Sequence, residues 1–235
     1  MDLDLFGTAL TDYQKGMYTE DLFTHSSIAG EDVLPLPYLF RSYKQMPAIE
    51  QKALQEAKGT ILDIGAGAGN HSLYLQEQQK DVTAIDISKG AVIVCKNRGL
   101  QKAEQRDVWG LTNQKFDTLL VLMNGVGICG SLKRLGPFLK HLKKLLRTKG
   151  QILIDSSDLI YMFENEKGEF WIDSEAAYYG EVSFQMTYKN QKTAPFDWLY
   201  VDFNTLKRCA NFNGLQCELL LEGDNYDYLA KLTQL

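Results

Sequence analysis

The stretch ILDIGAGAGN, residues 61–70, places Asp63, Gly65, Gly67 and Gly69 at alternate positions behind an apolar run. Strand positions favour β-branched residues and lose stability at glycine. These glycines therefore mark where a strand ends and the backbone turns sharply or approaches something closely. A helix starting near Asn70 sets its free N–H groups beside that turn. Strand, glycine turn and helix N-terminus together make a nucleotide-cofactor site.

The surrounding pattern supplies the elements that must position such a site. Pro47 opens a helix and Gly59 closes it. Ile61–Ile64 is a short strand, and residues 70–79 follow as a helix. "DVTAIDI" is a second strand, with Ser88 capping a helix to about Arg98. A weaker strand lies near residues 103–106. "FDTLLVLM" is apolar throughout, as a strand buried on both faces should be. A helix over 137–147 and the strand "QILIDS" complete the alternation, which implies a parallel sheet with right-handed crossovers. Beyond Ser156 the rhythm changes. "EVSFQMTYKN" and "FDWLYVD" alternate like an antiparallel hairpin with Lys192–Pro195 in its turn. A helix over 204–213 stops at Gly214. "CELLLEG" and "YDYLAKL" form a closing hairpin around Asp224 and Asn225. Residues 1–46 show no period and are rich in aromatics, among them Tyr13, Tyr18, Phe23, Tyr38, Phe40 and Tyr43.

Spacing separates two glycine-rich readings. The dinucleotide fingerprint is G-x-G-x-x-G. From Gly65 its third glycine falls on Asn70, and from Gly67 on Ser72, so both frames fail. The pattern Asp63-x-Gly65-x-Gly67-x-Gly69, with Asp86 closing the next strand, resembles the Rossmann-like class I of S-adenosylmethionine-dependent methyltransferases. "LDIGAGAGNHSLYL" and "VTAIDIS" look like that family's first two motifs. "RDV" at 106–108, "FDTLLVLMNGVGICG", "FLKHLKKLLRTKGQILIDSSD" and "LLLEGDNYDYLAKL" follow in the family's order, covering roughly residues 60–235. "RTKG" stands where members often show Pro-Gly-Gly.

The resemblance implies an α/β three-layer sandwich on a seven-stranded, mostly parallel sheet of order 3-2-1-4-5-7-6, with the last strand antiparallel. Residues 1–58 would be an amino-terminal lid. Residues 59–235 would be the cofactor-binding domain, with a β-hairpin insertion at about 157–202 after strand 5. It implies S-adenosyl-L-methionine as cofactor and S-adenosyl-L-homocysteine as product. The implied cofactor surface is Asp63, Gly65, Ala66, Gly67, Gly69, Asn70 and His71 at the first motif, and Asp86 and Ile87 at the second. Asp107 and Val108 follow the third strand, and Asn124 and Gly125 the fourth. Glycine at 65 and 67 lets the backbone approach the cofactor without a Cβ in the way. Asp86 offers two carboxylate oxygens to the two ribose hydroxyls, because Ser88 already supplies the helix cap. Asp63 either holds the glycine turn through backbone N–H groups or reaches the cofactor's ammonium through water. Asp107 contacts the adenine amino group or is plain surface charge. Asn124–Gly127 would face the sulfonium. This loop is not an Asn-Pro-Pro-aromatic or Asp-Pro-Pro-aromatic tetrapeptide, the family's mark of base amino methylation, and no Pro-Cys dipeptide points to cytosine C5 chemistry. Cys129 is read as loop packing.

Methyl transfer from a sulfonium needs a base only where the acceptor must lose a proton. Of three histidines, His141 lies on a basic helix and is read as solvated. His71 touches the cofactor's methionine end or caps its helix. His25, in "LFTHSSIAG", lies in the expected lid and is either an exposed loop residue or the candidate catalytic base; Tyr13, Tyr18 or Tyr43 are the alternatives for orienting an acceptor. The segments 1–46 and 157–202, the latter with Tyr161, Phe163, Phe170, Trp171, Tyr178 and Tyr179, suit a small, partly apolar acceptor. Two other function classes stay open: a non-catalytic S-adenosylmethionine-binding module, and a NAD(P)-dependent oxidoreductase, which the glycine spacing disfavours.

Composition agrees. The 235 residues are 45% hydrophobic and 23% charged, an ordinary globular balance, and the net charge of −5 argues against wholesale nucleic-acid or anionic-membrane binding. The basic residues of 131–149 share a helix with an apolar stripe and form its solvated face. The first thirty residues hold one lysine among several acids, unlike a secretory leader or an Arg-rich transit peptide. No run approaches membrane-span length. Four scattered cysteines read as reduced thiols. A cytoplasmic protein with no metal is expected, its oligomeric state open.

Overall fold

A computed structural model describes residues 4–165, 167–168 and 177–235. The amino-terminal stretch forms helix α1 (Leu5–Gln14), strands β1 (Leu22–Ser26) and β2 (Gly30–Leu34), and two short 3-10 turns at Leu36–Phe40 and Tyr43–Gln45. Helix α2 (Ala48–Glu56) leads into the alternating half: β3 (Thr60–Ile64), α3 (Asn70–Glu77), β4 (Asp81–Asp86), α4 (Lys89–Asn97), β5 (Ala103–Gln105), β6 (Phe116–Val121), α5 (Leu132–Lys144) and β7 (Leu146–Ser157). The remainder is β8 (Glu181–Tyr188), β9 (Gln191–Lys192), β10 (Phe196–Leu199), α6 (Phe203–Phe212), β11 (Leu215–Glu222) and β12 (Asp227–Gln234). Phe170 and Trp171, expected in the acceptor wall, lie outside the described residues.

Seven strands make one sheet in the order β11-β12-β7-β6-β3-β4-β5. Strands β5, β4, β3, β6 and β7 run parallel, while β12 is antiparallel to both β7 and β11. Counted from β3, this is the expected order 3-2-1-4-5-7-6 with the last strand reversed. The sheet is buried on both faces at its centre, which is why Leu119–Val121 of β6 and Ile152–Ile154 of β7 are consecutive apolar residues. Ile49 and Leu54 of α2, Leu75 of α3 and Val92 of α4 pack on one face. Phe138 and Leu142 of α5 and Leu206 and Ala210 of α6 pack on the other. No helix among the described residues is long and apolar enough to cross a membrane.

The amino-terminal segment is more regular than its sequence suggests. Its apolar pattern is weak because α1 is ordered by tertiary contact: Asp4 caps it at Gly7, and Leu5, Ala9 and Leu10 pack against Ala91 and Val94 of α4. Strand β1 sits between β2 and β8 in a second sheet of five strands. The expected hairpin insertion therefore does not stand alone, since it shares a sheet with the amino terminus. Its tight turn is Lys189–Asn190, both left-handed (φ 48° and 61°), and not Lys192–Pro195. Consecutive left-handed residues match the twist of a two-residue hairpin. Helix α5 also begins at Leu132, ahead of the expected 137. Pro137 lies inside it, and the Glu181 carboxylate accepts the Leu132 N–H at 2.7 Å.

Candidate functional site

The carboxyl ends of β3 and β4 meet at the glycine turn. Gly65, Gly67 and Gly69 all take positive φ (75°, 54° and 83°), so glycine is required there. The Gly65 and Ala66 N–H groups donate to the Ile85 carbonyl. The Gly67 N–H donates to Asp86 Oδ2, and the Ser88 N–H to Asp86 Oδ1, both at 2.8 Å. Ser88 Oγ accepts the Ala91 N–H, confirming it as the cap of α4. Asp86 therefore ties the end of β4 to the glycine turn, and each of its oxygens keeps a further acceptor site. Burial raises its pKa, against the pull of the Ser88 and Gly67 amides. Ile87, next in sequence, is 73% exposed.

Asp63 is buried and accepts the Ser72 hydroxyl at 2.7 Å, so it anchors α3 and makes no bond to the glycine turn. Burial raises its pKa over the opposing His71 charge. Asn70 donates to the Leu39 carbonyl at 2.7 Å and accepts from Arg98 at 2.7 Å. Its carboxamide joins the amino-terminal segment to α3. His71 does not cap its helix. It is buried, with Nε2 2.7 Å from Glu50 Oε2.

Glu50 is the centre of a network that sequence reading missed. The Arg41 Nη2 lies 2.5 Å from both Glu50 oxygens, and Nη1 donates to the Tyr38 carbonyl at 2.7 Å. Burial pushes the Glu50 pKa up, but the His71 bond and charge, with Arg41, hold it below the usual carboxylate range. Burial pushes His71 down, and the Glu50 bond with the Asp63 and Glu50 charges outweighs it, leaving a raised pKa. Arg41 is 5% exposed and its Nε has no hydrogen-bond partner. Glu50 meets the guanidinium charge, and Nε is left as an unmade buried hydrogen bond. Glu50 stands in the first turn of α2, and Arg41 follows an aromatic stretch. Neither carried a spacing signal.

At the third strand, Asp107 caps the 3-10 turn Val108–Gly110 by accepting the Trp109 N–H at 3.0 Å. His141 of α5 is not solvated: its Nε2 contacts the Val108 carbonyl at 2.7 Å and its ring packs on Trp109. After β6, Asn124 is left-handed (φ 53°) and half-buried, and Gly125 is buried. Cys129 is buried in the same loop, as its packing role required. Asp155 of β7 lies beneath it, accepting the Met123 and Gly125 N–H groups at 3.0 Å.

His25 lies on β1, outside this cluster. Its Nε2 is 3.2 Å from Glu31 Oε2 across the strand pair. Beyond β7, Tyr161 stacks on Tyr226, Tyr179 packs on Phe163 and Tyr178, and Tyr179 donates to Asp158. Of the other tyrosines considered, Tyr13 packs on Phe40, Tyr18 donates to Asp21, and Tyr43 stacks on Tyr74.

The comparisons bear on this geometry. Residues 55–219 match the family model described as a methyltransferase domain. The chain is 47% identical to an S-adenosylmethionine-dependent methyltransferase from Bacteroides fragilis, crystallised in complex with S-adenosyl-L-homocysteine. The match covers 100% of this chain and 98% of that one, with a TM-score of 0.92. A second S-adenosylmethionine-dependent methyltransferase, from Clostridium acetobutylicum, shares the fold at 16% identity over 83% of this chain and 92% of its own, with a TM-score of 0.58. The PH0226 protein of Pyrococcus horikoshii does so at 17% identity over 80% and 88%, with a TM-score of 0.59. No curated protein matches the chain.

Proposed function

The chain belongs to the S-adenosylmethionine-dependent methyltransferase family, and from that premise we propose that it moves the sulfonium methyl group of S-adenosylmethionine to a small-molecule acceptor. The observation that carries the reading is the pairing of Asp86 with the Gly65–Gly69 turn. It leaves a carboxylate and an open glycine backbone on one surface, where ribose hydroxyls and the methionine part of the cofactor can approach. Exposed Ile87 offers an apolar face to adenine, and Asp107 lies at the next strand end. Arg41, with its partnerless Nε, takes the cofactor's carboxylate. Asn124 and Gly125 face the sulfonium.

In-line displacement at the methyl carbon breaks the carbon–sulfur bond as the acceptor's lone pair forms the new one, releasing S-adenosylhomocysteine. The sulfonium is already a strong electrophile, so alignment is the protein's main task, worth roughly 7–11 kcal/mol. The aromatic side chains after β7 support a small, partly apolar acceptor. Titration calorimetry with S-adenosylhomocysteine, followed by a metabolite screen reading its release, tests the proposal. A folded sample that binds neither cofactor form at millimolar concentration overturns it.

A further inference from the structure

The turn after β6 is held in a shape its own residues resist. Met123 and Asn124 are consecutive left-handed residues (φ 64° and 53°), a conformation that side chains with a Cβ disfavour. Their amides converge on one carboxylate. Asp155 Oδ2 accepts the Met123 N–H and Oδ1 the Gly125 N–H, both at 3.0 Å, and the Asn124 amide also acts on it. Successive amides aimed at one point form an anion nest. Here the protein supplies the anion itself, from β7. The other side of the turn is pinned from both sheets. The Asn124 carbonyl accepts the Trp198 indole N–H at 3.1 Å, and Asn124 Oδ1 accepts the Ser157 hydroxyl at 2.9 Å. Gly127 lies so near the indole that a β-carbon there would overlap it.

We propose that Asp155 is a positioning residue for methyl transfer: its carboxylate holds the Met123–Gly125 turn left-handed, and Trp198 locks that turn to the five-stranded sheet. The acceptor side and the cofactor side are thereby aligned as one body. This rests on the methyltransferase reading, which places the turn beside the sulfonium. Without the carboxylate three amides lose their shared anion, and a buried unmade hydrogen bond is costly. The turn then relaxes and Asn124 leaves its place.

Burial beneath the turn raises the Asp155 pKa to about 6, and the Gly125 and Asn124 amides pull it down. The carboxylate is therefore covered by the same turn whose amides it accepts.

Hydrogen-exchange mass spectrometry on the full chain with saturating S-adenosylhomocysteine, reading the segment 122–130, tests this. In Asp155→Asn this segment should exchange roughly tenfold or more faster than in the wild type, with β3 unchanged. Asp155→Glu, which restores a carboxylate, should recover part of the protection. Trp198→Phe, which keeps a ring but loses the N–H, should also exchange faster in this segment. Wild-type protection in Asp155→Asn, or a loss spread equally to β3, overturns the proposal. Should Asp155→Asn fail to fold, Asp155→Glu and Trp198→Phe decide it, and wild-type protection of 122–130 in Trp198→Phe overturns the proposal. A wild type that binds no S-adenosylhomocysteine overturns the methyltransferase reading and this proposal with it; one that binds, with a turn indifferent to Asp155, overturns this proposal alone.

Discussion

Asp4 and Gly90 join the amino-terminal helix to the start of α4: Asp4 Oδ2 accepts the Gly90 N–H at 2.8 Å while its Oδ1 caps α1 at Gly7. The two helices touch backbone to backbone. A β-carbon on Gly90 would lie 2.5 Å from Gly7, and one on Gly7 would overlap Ser88. Phe6 of the same helix reaches the Gly67 turn, within 3.7 Å of where a β-carbon would stand. Gly90→Ala should therefore displace α1, at about 1–3 kcal/mol for overpacking. Chemical denaturation should register the loss, and limited proteolysis should cut the amino terminus faster. Wild-type stability and protection in this variant would refute the close crossing.

Asp86 accepts two backbone amides and is the residue proposed to bind ribose, so its removal should have two effects. Asp86→Ala should weaken S-adenosylhomocysteine binding by about 1.5–3 kcal/mol, the scale of a charge-assisted hydrogen bond. It should also destabilise the fold by about 1–3 kcal/mol, because the Gly67 and Ser88 amides lose their acceptor. Calorimetry and denaturation separate the two. Unchanged affinity in a folded variant would show that the carboxylate does not bind ribose.

The parallel sheet and the glycine turn were legible because their signals are local. A buried strand needs consecutive apolar residues, and a left-handed turn needs glycine at fixed positions. Gly65, Gly67, Gly69, Asp86 and Ser88 all follow from neighbours in sequence. The Arg41–Glu50–His71 network and the Asp155 nest do not. Arg41 and His71 are thirty residues apart and Met123 and Asp155 thirty-two, and they meet only through the sheet order. The same holds for β1 and β8, whose pairing no periodicity within either segment encodes. Helix α1 was missed because Gly7 lowers its helix propensity, while that glycine is what permits the contact with Gly90.

The buried network should give stability two pH edges. Glu50 is depressed, so its contribution is present above its unfolded value and lost as pH falls through the folded one. His71 is raised, so its contribution is complete below its unfolded value and lost as pH rises through the folded one. His71→Gln should remove the alkaline edge. The stability gap between wild type and variant, followed by denaturation across pH, should therefore be widest on the acid side of neutrality and shrink above it. A gap that grows with pH would contradict a charged His71–Glu50 pair.

His25 is the base candidate that the sequence offers, and it lies beside Glu31 on the second sheet. A base role requires an acceptor that reaches β1. With an acceptor found by screening, His25→Ala should lower kcat by about 10²–10⁴-fold while leaving S-adenosylhomocysteine affinity unchanged. Near-normal kcat from pH 6 to 9 would end that role.

Arg41 offers the sharpest test of how the cofactor is held. Its guanidinium is buried against Glu50, and Nε faces no acceptor. The carboxylate of the cofactor's methionine part is an anion of the right kind, and 5′-methylthioadenosine is the same nucleoside without that part. Removing the cation outright would leave Glu50 with His71 alone, and breaking a buried pair costs about 3–5 kcal/mol. Arg41→Lys is the better variant, since it keeps the charge beside Glu50 and loses the forked donors and Nε. It should weaken S-adenosylhomocysteine by about 1.5–3 kcal/mol, roughly 10- to 100-fold. It should leave 5′-methylthioadenosine affinity within about twofold, because an adenosine without a carboxylate makes no charge-assisted bond to lose. Calorimetry with both ligands on both proteins closes the cycle. Equal losses for the two ligands would mean that Arg41 only supports the fold, and a loss confined to S-adenosylhomocysteine would place its carboxylate on Arg41.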